Sequence, residues 1–252
     1  MMLDRREVVS VDVDAPAAIV WAHLRDPDLI ARWFGWDSDT LGDEIRQIFR
    51  GAVHEREEHA DGVETRTLEL AHHDRIVVTT HDGAPRRSHV ALTRRSHAGL
   101  APFDGVFDEI DEGWTQFLQQ LAFALDVHLG QDRVTLSAHG LDAGDRSDPL
   151  LFRAGLHGVR GLPVGGHVEV VRPDGSRLGG TLRYRGEHQV GIHLHGIAES
   201  LLVLVMRPAA AHPPHGTIDA TLSTYGLDDE VLAEARRRWA GWWGAPQRAT
   251  VG

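Results

Sequence analysis

The residues with the most chemical promise are two histidines, in His193-Leu194-His195. Two residues apart on a predicted strand, they share one face, a spacing that can hold zinc or iron. A metal site needs a third ligand. His188 and His167 are the options, and no signature selects either. With 17 histidines in the chain, such a pair arises by chance. His193 and His195 therefore stand as metal candidates, while the expectation is that no metal and no other cofactor is bound. His72-His73-Asp74 falls in a predicted turn and reads as a solvated loop. A Ser-His-Asp triad has no Gly-x-Ser-x-Gly elbow to present its serine. Gly165-Gly166 and Gly179-Gly180 lack the strand–Gly-x-Gly-x-x-Gly–helix setting of a nucleotide site and read as turns or bulges. The chain has no cysteine, which removes disulfides, thiolate zinc sites, iron–sulfur clusters and a thiol nucleophile. All of its basic residues are arginine. Without lysine there is no Schiff-base chemistry and no Walker-type phosphate loop.

Aromatic residues are the other candidates. Trp33, Phe34 and Trp36 either close the core at one end of a sheet or stand at the mouth of a ligand cavity, where rings give contact area at low entropic cost. Phe49, Trp114, Phe117, Leu118 and Leu121 would line the same cavity. Trp239, Trp242 and Trp243 carry the same two readings. They also admit a third, a face that mates with the other domain or with a second subunit, which would make a homodimer. Glu44, Arg46 and Glu64 fall on predicted strands, pointing either inward as polar anchors or to solvent.

The elements that must position these groups follow from periodicity. Residues 6–13 alternate apolar and polar and predict a strand. Asp14-Ala15-Pro16 opens a helix carrying Ile19, Val20 and Leu24, and Asp26-Pro27 restarts a short one that ends at Gly35. From about Glu44 to Arg95 the period is two, with turns at Asp61-Gly62, at His72-His73-Asp74 and at Asp82-Gly83, which predicts an antiparallel meander. A loop over 96–105 precedes a long helix. Its face is Ile110, Trp114, Phe117, Leu118, Leu121 and Leu125. Gly130 closes it. The second half repeats the plan: a strand through Val134, Leu136 and Ala138, then a short helix after Asp148-Pro149. Strands at 167–172, 177–184, 188–195, 201–207 and 217–223 follow, and a helix bearing Trp239, Trp242 and Trp243 ends the chain. This predicts a duplicated domain, residues 1–129 and 130–252.

Composition bounds the partners. The chain has 252 residues with 37 acidic against 26 basic, a net charge of −11. That charge repels phosphate backbones and anionic membranes. Arg236-Arg237-Arg238 is the longest opposing run and reads as a solvated helix face. No apolar run approaches a membrane span, and the polar start at Met1–Glu7 predicts no signal peptide. A cytoplasmic location follows as the expectation, with neither nucleic acid nor membrane as partner.

Residues 15–35, with Val20-Trp21, Asp26-Pro27 and Arg32-Trp33-Phe34, resemble the opening of the SRPBCC (START/Bet v 1-like) superfamily. The closer resemblance is to the group named after an activator of a heat-shock-protein ATPase. Gly113-Trp114 followed by spaced leucines is similar to that group's C-terminal helix. The second half resembles it only over 216–222 and 227–243, and its Gly-rich front reads as a degenerate copy. The resemblance implies an α+β helix-grip fold in tandem, a curved antiparallel sheet around a long C-terminal helix with a cavity between them. It implies binding of a small apolar or amphipathic molecule. A cavity-based enzyme of cyclase, dehydratase or hydrolase type is the first alternative, and a protein-interaction or co-chaperone-like module the second.

Overall fold

The computed structural model describes residues 5–51, 53–60, 62–70, 74–81, 83–95, 107–196 and 198–243. The predicted turn residues Asp61, His72, His73 and Asp82 and the whole of the predicted loop over 96–105 lie outside them. The chain divides into two compact units, Met1–Arg133 and Val134–Gly252.

In the first unit, β1 (Arg5–Val13) leads into α1 (Ala17–Arg25), α2 (Pro27–Ile30) and α3 (Leu41–Phe49). The meander β2 (His54–Ala60), β3 (Val63–Glu69), β4 (Arg75–His81) and β5 (Ala84–Arg95) follows, and α4 (Glu109–Val127) comes after it. The sheet is antiparallel, five-stranded and ordered β1-β5-β4-β3-β2. Local chemistry sets the breaks. Asp26 caps α2 by accepting from the Asp28 N–H at 2.9 Å, with Pro27 preset for the first turn. Asp108 does the same for α4, accepting from Ile110 and Asp111. The free edge β2 is exposed along its whole length and reads His-Glu-Arg-Glu-Glu-His-Ala. Its charge discourages pairing with another sheet.

Two expectations change here. Residues 44–49, predicted as a strand, belong to the helix α3. Ile45 and Phe49 fit either period, but Gln47, which a strand would bury with them, is exposed, and Ile48 is half-buried. The stripe is therefore 45, 48, 49, the helical spacing. Glu44 and Arg46 accordingly sit on the solvated side of α3, not on a strand. On α4, Ile110 was expected on the apolar face and is 54% exposed. The buried surface of α4 lies further along and is wider, taking in Gln116, Gln120 and Phe123 beside Trp114, Leu118 and Leu121.

The second unit is built from β6 (Arg133–Asp142), whose first residue, Arg133, still belongs to the first unit, α5 (Leu150–Arg153), a single 3-10 turn at Val159–Gly161, and the strands β7 (His167–Val171), β8 (Arg177–Arg185), β9 (Gln189–Leu194), β10 (Ser200–Arg207) and β11 (Thr217–Tyr225). Its last helix is α6 (Asp229–Trp242). The antiparallel sheet runs β6-β11-β10-β9-β8-β7. In both units, therefore, the opening strand pairs with the closing one, helices fill the gap after the opening strand, and a helix follows the last strand. Two glycines of the second unit mark close approaches. A Cβ on Gly155 would sit 1.8 Å from the Val171 carbonyl oxygen, and one on Gly191 2.0 Å from the Tyr184 ring. Trp239 and Trp242 are buried in this unit's own core, and the Trp242 indole donates to the Ala154 carbonyl at 2.9 Å. Both are spent on packing this unit.

Candidate functional site

Three segments of the first unit bring their aromatic residues together. The turn after α2 supplies Trp33, Phe34 and Trp36, α3 supplies Phe49, and α4 supplies Trp114 and Phe117. Phe34 is the hub. Its ring centroid lies 5.8 Å from Trp33, 5.0 Å from Phe49, 6.2 Å from Trp114 and 4.5 Å from Phe117. The contacts with Trp33 and Phe49 are edge-to-face, the arrangement the ring quadrupoles favour. Trp33, Phe34, Phe49 and Trp114 are buried, as are Leu118 and Leu121. Of the two readings open for Trp33 and Phe34, core closure or a cavity mouth, their burial fits core closure and not an entrance. The cluster reaches solvent through Trp36, which is 38% exposed and lies 6.5 Å from half-buried Phe117.

Two polar groups hold the backbone of this cluster in place. Carbonyls at the end of a helical turn have no partner within it and carry its negative pole. Gln120 donates to the carbonyl oxygens of Trp33 at 2.6 Å and Gly35 at 3.2 Å, and is itself bonded to Gln116 at 2.9 Å. The Arg133 guanidinium donates to the same two oxygens at 2.7 and 3.2 Å, and to the Phe34 carbonyl. The Trp33 indole donates to the His23 carbonyl at 2.8 Å. His23 is buried, and burial pushes its imidazole below the usual 6.5, although its bond to the Ile19 carbonyl works the other way.

The ionisable group against the rings is Asp74. One of its oxygens accepts from the Trp114 indole at 3.0 Å and the other from Arg94 at 3.1 Å. Arg94 also reaches Asp111 at 2.5 Å and Asp108 at 3.4 Å, and Asp111 is paired with Arg6. Burial alone would lower the Arg94 guanidinium, but its bond to Asp111 and the pull of the three carboxylates hold it above its ordinary value. Burial likewise opposes ionisation of Asp108, and the Asp111 N–H, Arg94 and the Ile110 N–H outweigh it, so its carboxyl is held low.

In the second unit, His193 and His195 lie opposite in sense to buried Ile192 and Leu194, so both imidazoles stand on the outer side of β9 with ring centroids 4.5 Å apart. Neither His167 nor His188 brings a ring nitrogen to this pair among the described residues. Glu64 lies on β3, half-buried and paired with Arg66. Arg236, Arg237 and Arg238 are exposed on α6. Arg237 and Arg238 line an open cleft of about 520 Å³ together with Arg172, Asp174, Glu234 and Trp242. Both are bonded to Glu234, so these two cations are held in an ion-pair cluster on the helix surface.

Gln116, Gln120, Arg133 and Arg94 were not singled out from the sequence, and Asp74, read there with His72-His73 as part of a solvated loop, is instead buried against Trp114 and Arg94. Glutamine on an amphipathic helix ordinarily faces water, and nothing local marks one that caps a distant turn.

No family model and no curated protein matches the sequence. Among solved structures, the di-domain ARO/CYC BexL from the BE-7585A biosynthetic pathway is similar at 12% identity over 98% of this chain and 99% of its own, with a TM-score of 0.33. The di-domain ARO/CYC StfQ from the steffimycin biosynthetic pathway is similar at 10% identity over 91% and 90%, with a TM-score of 0.27.

Proposed function

We propose that each unit is a helix-grip domain and that the first binds a small apolar or amphipathic molecule against the aromatic wall formed with α4. The fold reading is supported by the strand order the two units share and by the amphipathic helix that follows each last strand. One observation carries the functional reading: the ring cluster is closed on the inside by Trp33, Phe34, Phe49 and Trp114, yet runs out to solvent at Trp36 and Phe117. A ligand covering that rim would gain roughly 25 cal/mol per Å² of apolar surface removed from water. We favour binding without turnover. The carboxylate nearest the rings, Asp74, is committed to Arg94 and to the Trp114 indole, which gives it a structural role beside the cluster.

The test is a titration of the full chain with a fluorescent fatty-acid analogue and with planar aromatic compounds, followed by tryptophan emission. Saturable quenching is expected, weakened at least tenfold in Trp36→Ala and Phe117→Ala, with both variants still folded. Saturable binding unaffected by either substitution, or no binding of any such compound, removes the proposal.

A further inference from the structure

The geometry points to a binding site for a borderline divalent transition cation, of which Zn²⁺ is the type, formed by His193, His195 and Glu199 in the β9–β10 hairpin. This reverses the expectation drawn from the sequence, where the histidine pair lacked a third ligand. The missing group is neither His167 nor His188 but a carboxylate four residues beyond the pair. One ligand atom from each of the three residues lies within 4.8 Å of the others, and among the described residues this is the one such set. His193 Nε2 and Glu199 Oε1 are 3.5 Å apart. Bonds of about 2.0–2.1 Å to a tetrahedral zinc put neighbouring ligand atoms about 3.4 Å apart, so this edge of the site already has the right length. The remaining ligand atom lies within 4.8 Å of both and belongs to an exposed ring.

The hairpin is shaped to bring the carboxylate back. Pairing of the strands ends at Leu194 with Ser200, and the chain must turn within the five residues between them. It does so with Ala198 and Glu199 both left-handed, at φ 41° and 49°, without a glycine at either position. Side chains with a Cβ occupy that region at a cost, and two in succession are uncommon. The result is that Glu199 folds over the face bearing His193. Thr181, directly across the ladder from His193, shares a 3.0 Å hydrogen bond with His195 Nε2 and orients that ring, the role an outer partner plays for a ligating imidazole. Two imidazoles and one carboxylate, with no thiolate, suit zinc, cobalt or nickel over calcium or magnesium, which take all-oxygen sets. Because His195 and Glu199 are exposed, the remaining coordination positions face water.

The experiment uses the full-length chain, stripped with a chelator and exchanged into metal-free buffer, then titrated calorimetrically with ZnCl₂. One ion per chain is expected. His193→Ala, His195→Ala and Glu199→Gln should each weaken it at least about tenfold, while His167→Ala, on the same sheet face, leaves it unchanged. Cobalt(II) gives a second readout: visible absorption of a four-coordinate ion in the native chain, lost in the three variants. Circular dichroism and melting temperature check folding, and the two exposed positions, 195 and 199, carry the test if the strand variant unfolds. One-per-chain binding that survives all three substitutions, equal weakening by His167→Ala, or no saturable binding overturns the proposal.

Discussion

Gln120 and Arg133 donate to the same two carbonyl oxygens, those of Trp33 and Gly35, from opposite ends of the first unit's C-terminal segment. Either donor alone keeps these buried acceptors satisfied. Removing both leaves them without a donor, and a buried unsatisfied carbonyl costs about 1–3 kcal/mol. The double substitution Gln120→Ala/Arg133→Ala should therefore cost more than the sum of the single ones, by about 0.5–3 kcal/mol in a denaturation cycle. Strict additivity would show that the two donors do not share their acceptors in solution.

Trp114 combines packing and a polar bond. Trp114→Ala should lose about 3–5 kcal/mol, the range for large aromatic deletions in cores. Trp114→Phe keeps most of the apolar area but withdraws the N–H from Asp74. It should cost less than the alanine substitution and still measurably more than zero, about 1–3 kcal/mol. A denaturant midpoint unchanged in Trp114→Ala would place the ring outside the core.

His23 sets a pH dependence of known sign. Burial holds its folded pKa below the unfolded value of 6.5, so between the two the unfolded chain binds the extra proton. Stability from this group is fully present above about 6.5 and is lost as pH falls through that window toward the folded value. His23→Gln should flatten the decline in stability measured by chemical denaturation from pH 7 to pH 5. A decline equally steep in the variant would mean that the imidazole is solvated.

Gly191 tests the close packing of the second unit. Its missing Cβ makes room for the Tyr184 ring, whose hydroxyl donates to buried Gln189 at 2.8 Å. Gly191→Ala must displace that ring and should cost at least about 1–3 kcal/mol, as overpacking does. With Tyr184 already truncated to alanine, the same glycine substitution should become nearly neutral. Equal cost in both backgrounds would locate the strain elsewhere.

How far these relationships could be read in advance depends on how local they are. The strands of the second unit were legible from the alternation in β7 and β8, from the continuous apolar run in β10, and from turn signals such as Pro173-Asp174-Gly175. Segment 44–49 was not, since Ile45 and Phe49 are four apart, a multiple of the strand period and one helical turn at once. The aromatic cluster was legible as a set of residue types; that Trp33 and Phe34 lie inside and Trp36 at the rim depends on the turn that ends at Gly35. The carboxylate beside His193 was illegible for a similar reason. Its position is set by two left-handed residues, at Ala198 and Glu199, whose side chains give no hint of that backbone.

The pairing of first strand with last also has a temporal side. On a ribosome β1 emerges before anything else in its unit, yet its ladder partner β5 is the last strand of that sheet to be made, and β6 waits in the same way for β11. The meander strands between them can zip up with their immediate neighbours as they appear. Closing the sheet, by contrast, must bring together the two ends of a long loop, the kind of distant contact that slows folding. Through that interval Val11 and Val13, which end up buried, have no sheet to cover them.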